Sequence, residues 1–147
     1  HLHLLIDPVN KHTFSRNLEI MNEFMEPIRD RYEKIVEHLS KEEGKLLLCN
    51  LYNGDFDRDD GYETFEGDEE FIFGIGDLLR EKQEAATVIG SVFNDVVYST
   101  GKKFGVDVLE LRDIFTESID YANPIEPSHI GGGKLAKRIL EWIKSYE

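Results

Sequence analysis

Two short apolar runs constrain the fold more than any other feature. Lys45-Leu-Leu-Leu-Cys-Asn-Leu-Tyr52 is nearly continuous in apolar residues, as expected of a strand buried on both faces. Val106-Asp-Val-Leu-Glu-Leu111 reads as a second strand. Segments with helical spacing alternate with them. Starting near Thr13 or Ser15, Leu18, Met21, Phe24 and Met25 share one pattern, and Pro27 predicts a kink or a fresh start. Beyond it, Ile28, Tyr32, Ile35, Val36 and Leu39 follow a single helix face, with Gly44 as the expected stop. From about Asp77 to Lys103, Ala85, Ile89, Val92, Phe93, Val96 and Val97 form an apolar stripe, closed by Gly101 or Gly105. Leu135, Ala136, Ile139, Leu140 and Ile143 mark a last helix. The order helix, strand, helix, strand, helix implies an α/β domain with a parallel sheet and crossover helices. Two strands are few for such a sheet. Its N-terminal part is therefore expected upstream of His1, where the chain starts without Met.

The 147 residues fit a single, partial domain over 1–147. Hydrophobic residues are 40% and charged residues 32%, a globular mix. No apolar run approaches the ~20 residues of a membrane span, and no signal peptide is visible. Net charge is −13, which argues against nucleic acid, because phosphates require Lys and Arg. Nine acids between Asp55 and Glu70 face the single Arg58 and supply eight of the thirteen excess charges. The lone Cys49 permits no internal disulfide and is compatible with a cytoplasmic setting.

Chemistry concentrates in Asp120-Tyr-Ala-Asn-Pro-Ile-Glu-Pro-Ser-His-Ile-Gly-Gly-Gly-Lys-Leu-Ala136. This polar, punctuated stretch lies between a strand and a helix, where α/β enzymes place functional groups. Asp120, Asn123, Glu126 and His129 are its candidates for acid–base or hydrogen-bond work. Asp120 and Asn123 are also the residue types that fix turns through side-chain-to-backbone bonds. Gly131 to Gly133 suit φ > 0 or close packing, or the approach of a ligand to a helix N-terminus.

The block Asp120-Tyr-Ala-Asn-Pro-Ile-Glu-Pro-Ser128, with Gly131-Gly-Gly-Lys-Leu-Ala136, resembles the C-terminal block of SGNH (GDSL-type) hydrolases. Cys49-Asn-Leu-Tyr-Asn53 looks like that family's penultimate core strand and its turn. Phe93-Asn-Asp95 and Leu109-Glu-Leu-Arg-Asp-Ile-Phe115 look like the helix and last strand that follow. The resemblance covers roughly residues 14 to 143. It implies a flavodoxin-like three-layer α/β/α sandwich and hydrolysis of small-molecule acyl, acetyl or lipid esters. In that chemistry a serine from an N-terminal Gly-Asp-Ser block attacks the carbonyl, and a glycine and an asparagine help bind the oxyanion. A C-terminal Asp-x-x-His supplies base and orienter. No cofactor and no metal are implied.

The chain departs from that pattern in two places. None of its serines follows Gly-Asp, and Gly76-Asp77-Leu78-Leu79 carries leucine in the serine place. The nucleophile and oxyanion blocks are thus expected upstream. Anchoring on Pro127-Ser128 and Gly131 puts Asn123 in the aspartate place and Glu126 in the histidine place. A second register reads Glu126-Pro-Ser-His129 as the dyad, with His129 as the base. A carboxylate, with an ordinary pKa of ~4.3, is a poorer base near neutral pH than an imidazole.

Asp55, Asp57, Asp59 and Glu66 occupy positions 1, 3, 5 and 12 of a calcium-loop pattern. Asp60 replaces its glycine, however, and the segment follows a strand, so a solvated acidic loop is the simpler reading. His1, His3, His12 and His38 have no ligand-like spacing with Cys49. No phosphate-loop spacing exists around the glycines. Two functions lead: an ester hydrolase, or a non-catalytic SGNH-like domain that binds a ligand or partner; a calcium-binding module using residues 55 to 66 is a third, weaker reading. A sheet cut between strands also exposes an apolar edge, so self-association is expected.

Overall fold

The computed structural model describes residues 14–56 and 83–146. Among them, the chain is mixed α/β, with three α-helices and a two-stranded parallel sheet. Helix α1 spans Phe14–Leu39, strand β1 Leu47–Cys49, helix α2 Gln83–Phe104 and strand β2 Asp107–Leu109. A 3-10 turn, Ser118–Asp120, precedes helix α3, His129–Lys144. The strands pair in parallel, with Leu47 opposite Asp107, Leu48 opposite Val108 and Cys49 opposite Leu109. Asn50 N–H extends the ladder to the Leu109 carbonyl at 3.2 Å. No helix among the described residues is long and apolar enough to cross a membrane. The first residues of the chain, the acidic run from Asp57 and the Gly76-Asp77 segment lie outside the described residues, and with them the calcium reading.

Helix α1 runs through Pro27 without a break, so of the two expectations there, a kink or a fresh start, the fresh start does not occur. Proline removes one N–H and leaves the carbonyl four residues back without its helical partner. Pro27 is exposed, so water can take that place. The helix ends at Leu39, before Gly44, and turns of backbone bonding continue through Ser40, Lys41 and Glu42. Helix α2 stops at Gly105 rather than Gly101. Gly105 adopts φ +66°, and Val106 N–H reaches back to the Gly101 carbonyl at 2.9 Å. That is the six-to-one closure which a left-handed glycine permits.

The described residues fall into two compact units. The first contains α1, β1, the Val92–Phe104 part of α2, and β2. Its core is Val36, Leu48 and Val97, with Tyr32, Leu46, Phe104, Val106 and Val108 packed against it. Phe24 meets Phe93 edge-on with ring centroids 6.3 Å apart, and Lys103 pairs with Glu33 at 2.6 Å. Strand β1 is not buried on both faces. Leu48 points into the core, while Cys49 on the other face is exposed. Ile35 and Leu39, read as part of the α1 stripe, are also exposed.

The second unit contains residues 51–56, 83–91 and 110–146. Its buried apolar residues include Phe56, Leu111, Ile114, Phe115 and Tyr121. The polar stretch expected between strand and helix, residues 120 to 136, is itself partly helix. Helix α3 begins at His129 and takes in all three glycines, because Ser128 caps it. The Ser128 hydroxyl accepts from Ile130 N–H at 3.1 Å and Gly131 N–H at 3.2 Å, satisfying donors that a helix start leaves open. It also donates to the Ile119 carbonyl at 2.6 Å. Gly131 allows a close approach: a Cβ there would collide with the Asp120 carbonyl and the Phe115 ring. None of the three glycines has positive φ.

Candidate functional site

The site is the loop between the 3-10 turn and α3. Tyr121 and Pro127 form an antiparallel bridge. Ala122 N–H donates to the Glu126 carbonyl at 2.9 Å, and Ser128 N–H to the Asp120 carbonyl at 2.8 Å. Residues 122–126 therefore form a loop closed at its base. The segment leaving β1 clasps it. Asp55 N–H donates to the Pro124 carbonyl at 2.9 Å, and the Tyr52 hydroxyl donates to the Ile125 carbonyl at 2.6 Å. The Tyr121 hydroxyl lies 2.6 Å from the Asn53 carbonyl and 3.2 Å from that of Phe115. Tyr52, Phe115 and Tyr121 form a triangle of rings, with centroids 4.3 Å apart for Tyr52–Phe115 and 5.9 Å apart for each of the other two pairs.

Asp120 is completely buried. Its Oδ2 accepts from Thr116 N–H and Glu117 N–H, both at 3.2 Å, and from Lys134 Nζ at 2.8 Å. The same ammonium stands 2.7 Å from Oδ1, close enough for charge attraction but without an aligned hydrogen bond. Burial by itself works against the charged form. The Lys134 hydrogen bond and charge, with the two amides, outweigh it and hold the carboxyl below its ordinary value. Asp120 thus ties the 3-10 turn to α3.

Asn123 is also buried. Its Oδ1 accepts from Ile125 N–H at 3.0 Å and Glu126 N–H at 2.8 Å. Two amide donors on one side fix the orientation of the side chain, so its NH2 group must face the other way. There Nδ2 donates to Glu126 Oε2 at 2.7 Å. Glu126 is exposed, so this bond leaves an oriented carboxylate at the surface, open to a ligand or a proton. His129 is the first residue of α3 and is exposed. Among the described residues its side chain makes no hydrogen bond or ion pair. The structure therefore joins Asn123 to Glu126 and Asp120 to Lys134, and joins neither pair to His129.

Tyr52, Tyr121 and Lys134 carry the site's framework and received no role from the sequence. Burial, and then the Glu126 charge, push the Tyr52 hydroxyl above its ordinary value. Burial, followed by the Asp55 carboxylate, pushes Tyr121 up to about 12. Both stay protonated near neutral pH and act as donors. A surface cleft of about 480 Å³ lies along α3, lined by Lys134, Lys137, Arg138, Asp113 and Glu141 among others. Its charge is mixed, and neither Glu126 nor His129 lines it. Among the described residues no group of three His, Cys, Asp or Glu side chains is placed to hold a metal ion.

No protein-family model, curated protein or solved structure matches this chain.

Proposed function

We propose that the chain is the acid–base end of an SGNH (GDSL-type) ester hydrolase, a flavodoxin-like three-layer α/β/α domain whose serine lies upstream. The observation that carries this reading is the 2.7 Å bond from Asn123 Nδ2 to Glu126 Oε2. It matches the register anchored on Pro127-Ser128. A loop-fixed residue in the aspartate place orients the residue in the histidine place. In the reaction, the serine oxygen bonds to the ester carbonyl carbon and its proton passes to the Glu126 carboxylate. Collapse of the tetrahedral adduct breaks the bond to the alcohol, which leaves with that proton. Water then repeats the sequence on the acyl-enzyme and releases the acid. The substrate is a small-molecule acyl, acetyl or lipid ester.

The test is hydrolysis of p-nitrophenyl acetate by the full-length natural protein. Glu126→Gln should lower kcat/KM by about 100-fold or more, and His129→Ala should leave it within a few-fold. A large loss in His129→Ala alone would select the register with histidine as base. Full activity in the double variant would overturn the hydrolase reading.

A second reading is a non-catalytic domain of the same fold that binds a ligand or partner. It is favoured by the carboxylate, a weak base, standing where the imidazole is expected. A fluorophosphonate probe separates the two readings: covalent labelling of a serine supports the enzyme, and its absence supports the binder.

A further inference from the structure

We propose that Tyr52 is a positioning residue for Glu126, an inference that rests on Glu126 being the proton acceptor. The Tyr52 hydroxyl donates to the carbonyl of Ile125 at 2.6 Å, one residue before Glu126. Its ring is held in turn by Phe115 and Tyr121. The same peptide unit that Tyr52 grips through its oxygen presents the Glu126 N–H to Asn123 Oδ1 at 2.8 Å. One rigid amide plane therefore carries both restraints. If it rotates, the Asn123 turn loosens and the Nδ2 bond to Oε2 lengthens. Tyr52 touches neither substrate nor reacting atoms in this scheme. It acts by keeping the carboxylate in one rotamer, and displacements of about 1 Å at such groups cost about 100-fold in rate.

Tyr52→Phe tests this in the full-length natural protein, because it keeps the ring and removes only the hydroxyl. The Asn123 side-chain amide pair in a 1H–15N spectrum reports the Nδ2 bond directly, and Glu126→Ala gives its position when the acceptor is gone. Tyr52→Phe should move that pair toward the Glu126→Ala position. It should also lower kcat on p-nitrophenyl acetate about tenfold with KM within about twofold. Val36→Ala, in the core of the other unit, supplies a destabilised control whose amide pair should stay in place. An unmoved amide pair in Tyr52→Phe, or an equal movement in Val36→Ala, would overturn the positioning role. If the pair moves in Tyr52→Phe but Glu126→Ala loses no activity, the positioning stands and the hydrolase reading falls.

Discussion

Tyr52 and Tyr121 hold each other's segments. Their ring centroids are 5.9 Å apart, and each hydroxyl donates to backbone on the other's side: Tyr52 to the Ile125 carbonyl, Tyr121 to the Asn53 carbonyl. The exit of β1 and the candidate loop are thus stitched in both directions. Two hydroxyls supply the donors that strand pairing would give, to part-buried carbonyls of irregular backbone.

Tyr121 should make the protein alkali-labile. Its hydroxyl is raised to about 12 in the fold, against about 10 in an unfolded chain. The stabilisation from keeping it neutral is complete below pH ~10 and is lost as pH rises through the folded value. About two pH units correspond to roughly 2–3 kcal/mol. Urea denaturation at successive pH values should show stability falling between about pH 10 and 12. Tyr121→Phe should flatten that fall, at a cost near neutral pH of about 1 kcal/mol for the lost hydroxyl bond. An unchanged alkaline slope in the variant would contradict this assignment.

Asp120 should govern the acid side. Its carboxyl is lowered in the fold because Lys134 and two amides overcome burial. A depressed carboxyl contributes stability above its unfolded pKa of ~3.9, and the contribution disappears as pH falls through the folded value. Asp120→Asn keeps the shape but abandons the Lys134 ammonium. It should cost about 2 kcal/mol at pH 7, with the gap to wild type narrowing in acid below pH ~4. Thermal melts from pH 3 to 7 would show this narrowing, and a gap independent of pH would count against the ion pair.

The three consecutive glycines of α3 should respond differently to the same change. A Cβ on Gly132 or Gly133 meets nothing within 4 Å. Gly132→Ala and Gly133→Ala should therefore each stabilise by about 0.5–1 kcal/mol, through lower backbone entropy in the unfolded chain. Gly131→Ala would drive a methyl into the Asp120 carbonyl and the Phe115 ring. It should destabilise by about 1–3 kcal/mol. Chemical denaturation of the three variants tests the order, and equal effects at all three positions would refute the close approach.

Ser128→Ala should unwind the start of α3. The hydroxyl accepts from two amides of the first turn and donates to the Ile119 carbonyl. Loss of such a cap costs about 1–2 kcal/mol. Faster hydrogen exchange at Ile130 and Gly131 should accompany the loss. Unaltered exchange there would show that Ser128 does not set the helix start.

What was legible in the sequence was local. The helical spacing of Tyr32 and Val36, and of Val96 and Val97, marked faces that do carry buried residues, because a 3.6-residue period is written within a few turns. The turn role of Asn123 was legible for the same reason, since its partners stand two and three residues away. The choice at Pro27 between a continuous helix and a fresh start and the early start of α3 at His129 were not. Proline and glycine weaken helices by amounts that capping and packing can outweigh. The framework of the site came from tertiary structure alone. Lys134 reaches Asp120 across fourteen residues, and Tyr52 reaches Ile125 across seventy-three. No periodicity links positions so far apart. Their meeting depends on where the segment leaving β1 and the first turns of α3 bring the chain, and that is decided by packing rather than by any residue's own preference.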